Sequence, residues 1–104
     1  MAFGSNYKGV TKGRIRQKDN IQMWVSQFCF GGEHLNLGWY EDEVVAAMAF
    51  DRAALMAGKK TWFNFDINGG KYPIPIGYAV KYSDFQLPDK IAKKILRLTK
   101  RKRY

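Results

Sequence analysis

LGWYEDEVVAAMAFDRAALMAGKKTWFNF, residues 37–65, reads as an alanine-striped helix bracketed by two aromatic-rich segments. Asp42 is a good N-cap, because its carboxylate can accept an orphan backbone N–H of the first turn, and Gly58 supplies a left-handed stop. The helix is therefore expected from about Glu43 to Ala57. Ala46, Ala49, Ala53 and Ala57 recur at spacings of three, four and four, so they line one face with Phe50 beside them. Small side chains let a backbone come close, which suits a helix lying flat on a sheet whose own side chains fill the gap. Alanine is also the best helix former. Charged residues on the exposed flank favour the packing explanation.

Working outward, Met23 to Phe30 reads as the strongest strand. Gly31-Gly32 is a two-residue hairpin turn, and Glu33 to Trp39 returns. If Phe30 pairs with Glu33, then Phe28 faces Leu35, Ser26 faces Leu37 and Trp24 faces Trp39 on the core side. The other side presents Cys29 against His34, Gln27 against Asn36 and Val25 against Gly38. Asn6 to Val10 is expected as a short strand, and Thr11 to Gln22 as a basic connection with a turn at Asp19-Asn20. After the helix, Trp62, Phe63 and Phe65 are expected to close the core, and Asn68-Gly69-Gly70 to form a loop. Tyr78 to Phe85 has no clear periodicity. Pro88 can open a last helix, because its missing N–H costs nothing in the first turn. Ile91, Ile95 and Leu98 form its narrow apolar stripe.

The 104 residues are 46% hydrophobic and 15% aromatic, which supports one compact unit and leaves no room for two independent cores. Cys29 is the single cysteine and His34 the single histidine, so neither an internal disulfide nor a structural metal is expected. No cofactor is implied. No run of about 20 apolar residues exists, and Met1 to Asn6 lacks the apolar core of a secretory signal, so no membrane partner is expected. Net charge is +9 and unevenly placed. The first 18 residues carry five Lys/Arg and no acid, the last 15 carry eight, and four of the nine acids lie between Glu41 and Asp51. Basic ends around an acidic helix turn one side toward a polyanion, and nucleic acid is the expected one. Candidate phosphate contacts are Lys12, Arg14, Arg16 and Lys18, then Lys90, Lys93, Lys94, Arg97, Lys100, Arg101, Lys102 and Arg103.

Tyr7-Lys8-Gly9-Val10, Trp24-Val25, Leu37-Gly38 with Tyr40, Ala46-Ala47, Ala49-Phe50-Asp51 with Ala53-Ala54, and Gly58 with Asn64-Phe65 stand in one order. In that order they resemble the Apetala-2/ethylene-response-factor DNA-binding domain, from Asn6 to Asp66. The resemblance implies an α+β fold, a three-stranded antiparallel sheet packed on one α-helix, with the sheet laid in the DNA major groove. On it, residues 1–66 form the nucleic-acid-binding domain and residues 67–104 a basic extension ending in a helix. The positions matching the family's sheet contacts are Lys8, Thr11, Gln27, Cys29, His34 and Asn36. The family places mainly arginines and tryptophans there, so its GC-rich preference does not carry over. Gln27 and Asn36 can instead each offer a donor and an acceptor to an adenine edge.

The favoured reading is a DNA-binding domain of transcription-factor type, acting in the nucleus. The alternative is a structural RNA-binding protein of a ribonucleoprotein such as a mitochondrial ribosome, holding rRNA through its basic extensions and packing on neighbouring proteins. A sheet does not fit the deep, narrow major groove of A-form RNA, so RNA would be met through loops, tails or single strands. An enzyme is not expected. There is no second histidine, no cysteine partner, no phosphate-cradling glycine loop and no paired carboxylates outside a helix start.

Overall fold

The computed structural model describes residues 7–30, 32–58, 63–66 and 69–101. Expectations resting on Asn6, Gly31, Lys59 to Trp62, Asn68, Lys102 and Arg103, and on the side chains of Lys100 and Arg101, lie outside the described residues. Three strands form an antiparallel sheet in the order β1 (Val10–Arg16), β2 (Ile21–Phe30) and β3 (Glu33–Tyr40). Among the described residues three helices follow: α1 (Glu43–Met56), α2 (Ala79–Asp84) and α3 (Asp89–Arg101). The fold is α+β, with α1 packed across one face of the sheet.

The first strand is not where the sequence suggested. Tyr7 to Gly9 turns, and the strand begins at Val10 and runs on through residues expected to be a connection. Gly9 causes the shift. Its φ is +74°, and a Cβ there would meet Phe50 at 2.2 Å, so the chain bends where it passes over the helix. Beyond it, the edge strand has solvent on several sides, and its polar, basic composition needs no buried alternation. The turn at Asp19-Asn20 forms as expected, with Asn20 at φ 58° and its N–H donating to the Arg16 carbonyl at 2.7 Å.

The hairpin register holds from Phe30↔Glu33 through Gln27↔Asn36 and then slips. Ser26 pairs with Gly38, Val25 with Trp39 and Trp24 with Tyr40, one residue away from the expected partners. Leu37 is the extra residue of a β-bulge. Three interactions hold it. Leu37 is fully buried, Gly38 takes φ +120° with its N–H donating to Asn36 Oδ1 at 2.9 Å, and the Tyr40 hydroxyl donates to the Leu37 carbonyl at 2.7 Å. Past the bulge the two faces exchange. Tyr40 turns to the core, and Trp39, expected inside, stands 46% exposed on the outer face.

α1 follows the sequence closely. Asp42 Oδ1 accepts from the Val44 N–H at 2.9 Å, and Gly58 at φ +81° closes the far end. Ala46, Ala49 and Ala53 are completely buried, and Ala57, the C-cap, is half-buried. Close approach allows a direct link between the layers, from the Ser26 hydroxyl to the Ala46 carbonyl at 2.8 Å. Asp51, also buried, accepts from the Asn64 N–H at 2.7 Å, the Phe65 N–H at 3.0 Å and the Tyr82 hydroxyl at 2.9 Å. Asn64 passes the connection on, accepting from the Lys8 N–H at 2.6 Å and donating to the Lys8 carbonyl at 3.2 Å.

The C-terminal extension shares this core. Leu87, Ile95 and Leu98 cluster with Phe28, Leu35, Leu37, Ala53 and Phe63, and Ile91 packs against them. Burying side chains of this size contributes about 1.5–3 kcal/mol each, enough to hold a basic helix against the domain. α2 occupies the stretch without clear periodicity. Its Tyr82 packs on Phe65 with the rings at 87° and their centroids 5.6 Å apart.

Candidate nucleic-acid interface

Strand alternation and the β2–β3 register put Gln27, Cys29, His34 and Asn36 side by side on the sheet face away from α1, all exposed. Gln27 makes no side-chain hydrogen bond among the described residues, so its donor and its acceptor are both open to a ligand. Asn36 uses its oxygen on the Gly38 N–H and keeps its NH2 available. Cys29 Sγ lies 3.3 Å from His34 Nδ1, which ties the next cross-strand pair together. Thr11 is half-buried opposite Val25 on the neighbouring strand. Lys8, also half-buried, lies with Gly9, Gln27, Cys29, His34 and Phe50 around a cleft of about 330 Å³.

The cations divide between the two edges of this face. On the β1 side, Lys12, Arg14 and Lys18 are exposed. Arg16 is committed to two carboxylates: its guanidinium donates to Asp19 at 2.7 and 3.0 Å and to Glu41 at 2.7 Å. Those bonds, Asp19 first, push its pKa further up, and Arg16 in turn holds the Asp19 carboxyl below its ordinary value. On the β3 side, α3 brings Lys90 and Lys94 to a groove of about 310 Å³ that His34 and Asn36 also line. Lys94 pairs with Glu33 at 3.3 Å, while Lys90, Lys93 and Arg97 are exposed. The fold thus brings the polar sheet residues and the start of α3 together, and sets the β1 cations on the opposite edge.

Trp39 was not among the expected outer-face residues. It shares a broad hollow of about 710 Å³ with Arg14, Ile15, Arg16, Gln17 and Met23. The signal was present, because an isolated glycine inside a strand pattern, here Gly38, marks a bulge. Among the described residues no group of three or more His, Cys, Asp or Glu is placed to hold a metal ion, and no helix is long and apolar enough to cross a membrane. Compared with family models, curated proteins and solved structures, the chain matches none of them.

Proposed function

We propose that this protein is a nucleic-acid-binding domain that reads the DNA major groove with the outer face of its sheet, in the manner of the Apetala-2/ethylene-response-factor domains it resembles. The observation that carries this reading is the exposed, cross-strand Gln27/Asn36 pair, set between cations on β1 and cations on α3. Groove recognition needs that arrangement: amides in the middle for base edges, and positive charge on both sides for the two phosphate walls. Gln27, with both ends of its amide open, is the stronger adenine reader. Asn36 contributes its donor. On this reading the protein acts in the nucleus.

A structural RNA-binding role is the second reading. It is favoured by the position of the cations, which apart from Lys8 lie on the edges and the extension and not on the face itself. There the edges would grip the RNA, and the face would be left to a neighbouring protein of the assembly.

Selection of duplexes from a randomised DNA pool, with the unaltered protein and a Gln27→Ala/Asn36→Ala variant at one salt concentration, tests the first reading. The unaltered protein is expected to enrich adenine-containing sites, with about 1–3 kcal/mol of discrimination for a good amide–adenine pair. The variant is expected to lose that preference and keep most of its non-specific affinity. A double variant that retained both would remove the sheet face from DNA reading and leave the RNA role standing.

A further inference from the structure

Past the β-bulge the outer face changes character. Trp39 is 46% exposed and Ile15 57% exposed, beside half-buried Met23, so an apolar surface adjoins the amide-bearing one. The indole is backed by the sheet. A Cβ at position 13 would lie 2.7 Å from Trp39 Cζ3 and 3.0 Å from Val25 Cγ2, so the absent side chain of Gly13 is the space the ring occupies. No left-handed φ demands glycine at that position. β1 is itself irregular between Lys12 and Ile15, and the Gln22 side-chain amide fixes that irregularity by donating to the Gly13 carbonyl at 2.8 Å. The ring is therefore seated on a held backbone with part of its surface open to solvent.

Charge points to the occupant. Arg14 lines the same hollow, is exposed, and makes no hydrogen bond or ion pair among the described residues. The nearby carboxylates of Asp19 and Glu41 both bind Arg16. An exposed, backed aromatic ring beside a free guanidinium matches a nucleobase with its phosphate: the ring stacks the base, and the cation takes the phosphate or adds to the stack. Bases inside a duplex hide their faces, so the base that fits is an unpaired one.

We infer that Trp39, backed by Gly13 and flanked by Arg14, is a stacking subsite for an unpaired base, and that the preferred ligand carries an unstacked nucleotide next to its paired region. This rests on the nucleic-acid reading above and specifies the ligand within it. Bulged DNA and bulged RNA offer the same chemistry.

The test measures binding of the full chain to four probes by fluorescence anisotropy. These are a DNA duplex with one unpaired adenine, the same duplex fully paired, and both as RNA. Trp39→Ala is expected to weaken binding to a bulged probe by between about fivefold and 150-fold, the range found for stacked bases. Trp39→Phe should weaken it less, because a smaller ring still stacks and keeps the site packed if the alanine variant is poorly folded. The paired probes should change little. The sugar for which the selective loss appears identifies the natural source. Equal losses on bulged and paired probes, or none on either, overturn the stacking subsite while leaving nucleic-acid binding intact. Failure of the unaltered protein to bind any of the four overturns the nucleic-acid reading and this inference with it.

Discussion

Replacing Asp51 by alanine probes the joint between α1 and the rest of the chain. The carboxylate is buried and accepts three hydrogen bonds, from the Asn64 and Phe65 N–H groups and the Tyr82 hydroxyl. Alanine leaves two buried backbone donors and a buried hydroxyl without this acceptor. At about 1–3 kcal/mol for each unsatisfied group, and with some relaxation toward solvent, the expected loss is about 3–5 kcal/mol. Domains of this size are stable by only about 5–15 kcal/mol, so the variant should be folded but fragile. With a urea m-value near 2 kcal/mol/M, a loss of about 4 kcal/mol moves the unfolding midpoint down by about 2 M. Burial, opposed by the N–H donors of Asn64 and Phe65, pushes the Asp51 carboxyl above its ordinary value. The folded protein thus binds this proton more tightly than the unfolded chain does. The group's contribution to stability is greatest below its unfolded pKa, falls as pH rises through the interval up to the raised folded value, and is flat beyond. Asp51→Ala and Asp51→Asn should both lose that slope. An alanine variant within about 1 kcal/mol of the unaltered protein would falsify the assignment of Asp51 as a buried acceptor.

Two further outcomes are expected. Ala49→Leu and Ala53→Leu insert bulk where α1 meets the core, and each should cost about 1–3 kcal/mol in chemical denaturation; unchanged midpoints for both would mean the stripe has room that its complete burial denies. Removing the extension would strip Ile95 and Leu98 from the core, so its charge is better tested by changing Lys90, Lys93 and Arg97 to glutamine. For each phosphate that is no longer neutralised, the salt dependence of duplex binding should become shallower by about 0.9 in the log–log slope, and a slope identical to that of the unaltered protein would exclude the exposed face of α3 from the interface.

The parts of this fold legible in the sequence are those governed by local rules. Asp42 and Gly58 bound α1 because capping chemistry depends on a few adjacent atoms. The pairing of Cys29 with His34 and Gln27 with Asn36 follows from counting outward from a short turn, and the count stays correct until a residue is inserted. The bulge at Leu37 ended that reliability. Its cause is tertiary: Leu37 and Tyr40 both fill the core, which strict alternation cannot provide. The first strand was misplaced because Tyr7 to Val10 has the look of a strand while Gly9 is bent by Phe50, a contact between residues 41 positions apart. α2 stayed hidden because six residues span too few turns to display a period. For the interface, the sequence named the amide pair and the cations. Ion pairs to Asp19 and Glu41 decided that Arg16 is already committed, and the bulge decided that Trp39 stands exposed on the outer face.

The clamp that Asn64 places on Lys8 grips only main-chain atoms, one N–H and one carbonyl. Apart from proline, which has no N–H to give, any residue can satisfy it. Position 8 lies at the rim of the cleft beside Gln27 and Cys29, and this main-chain tether to the core does not depend on which side chain stands there. On the proposed reading, an uncharged substitution at position 8 would change what the cleft presents and leave this clamp intact, but it would also remove a charge that opposes the upward shift of the buried Asp51 carboxyl. Gly9, the next residue, has no such freedom, and the two neighbours should tolerate change in opposite ways.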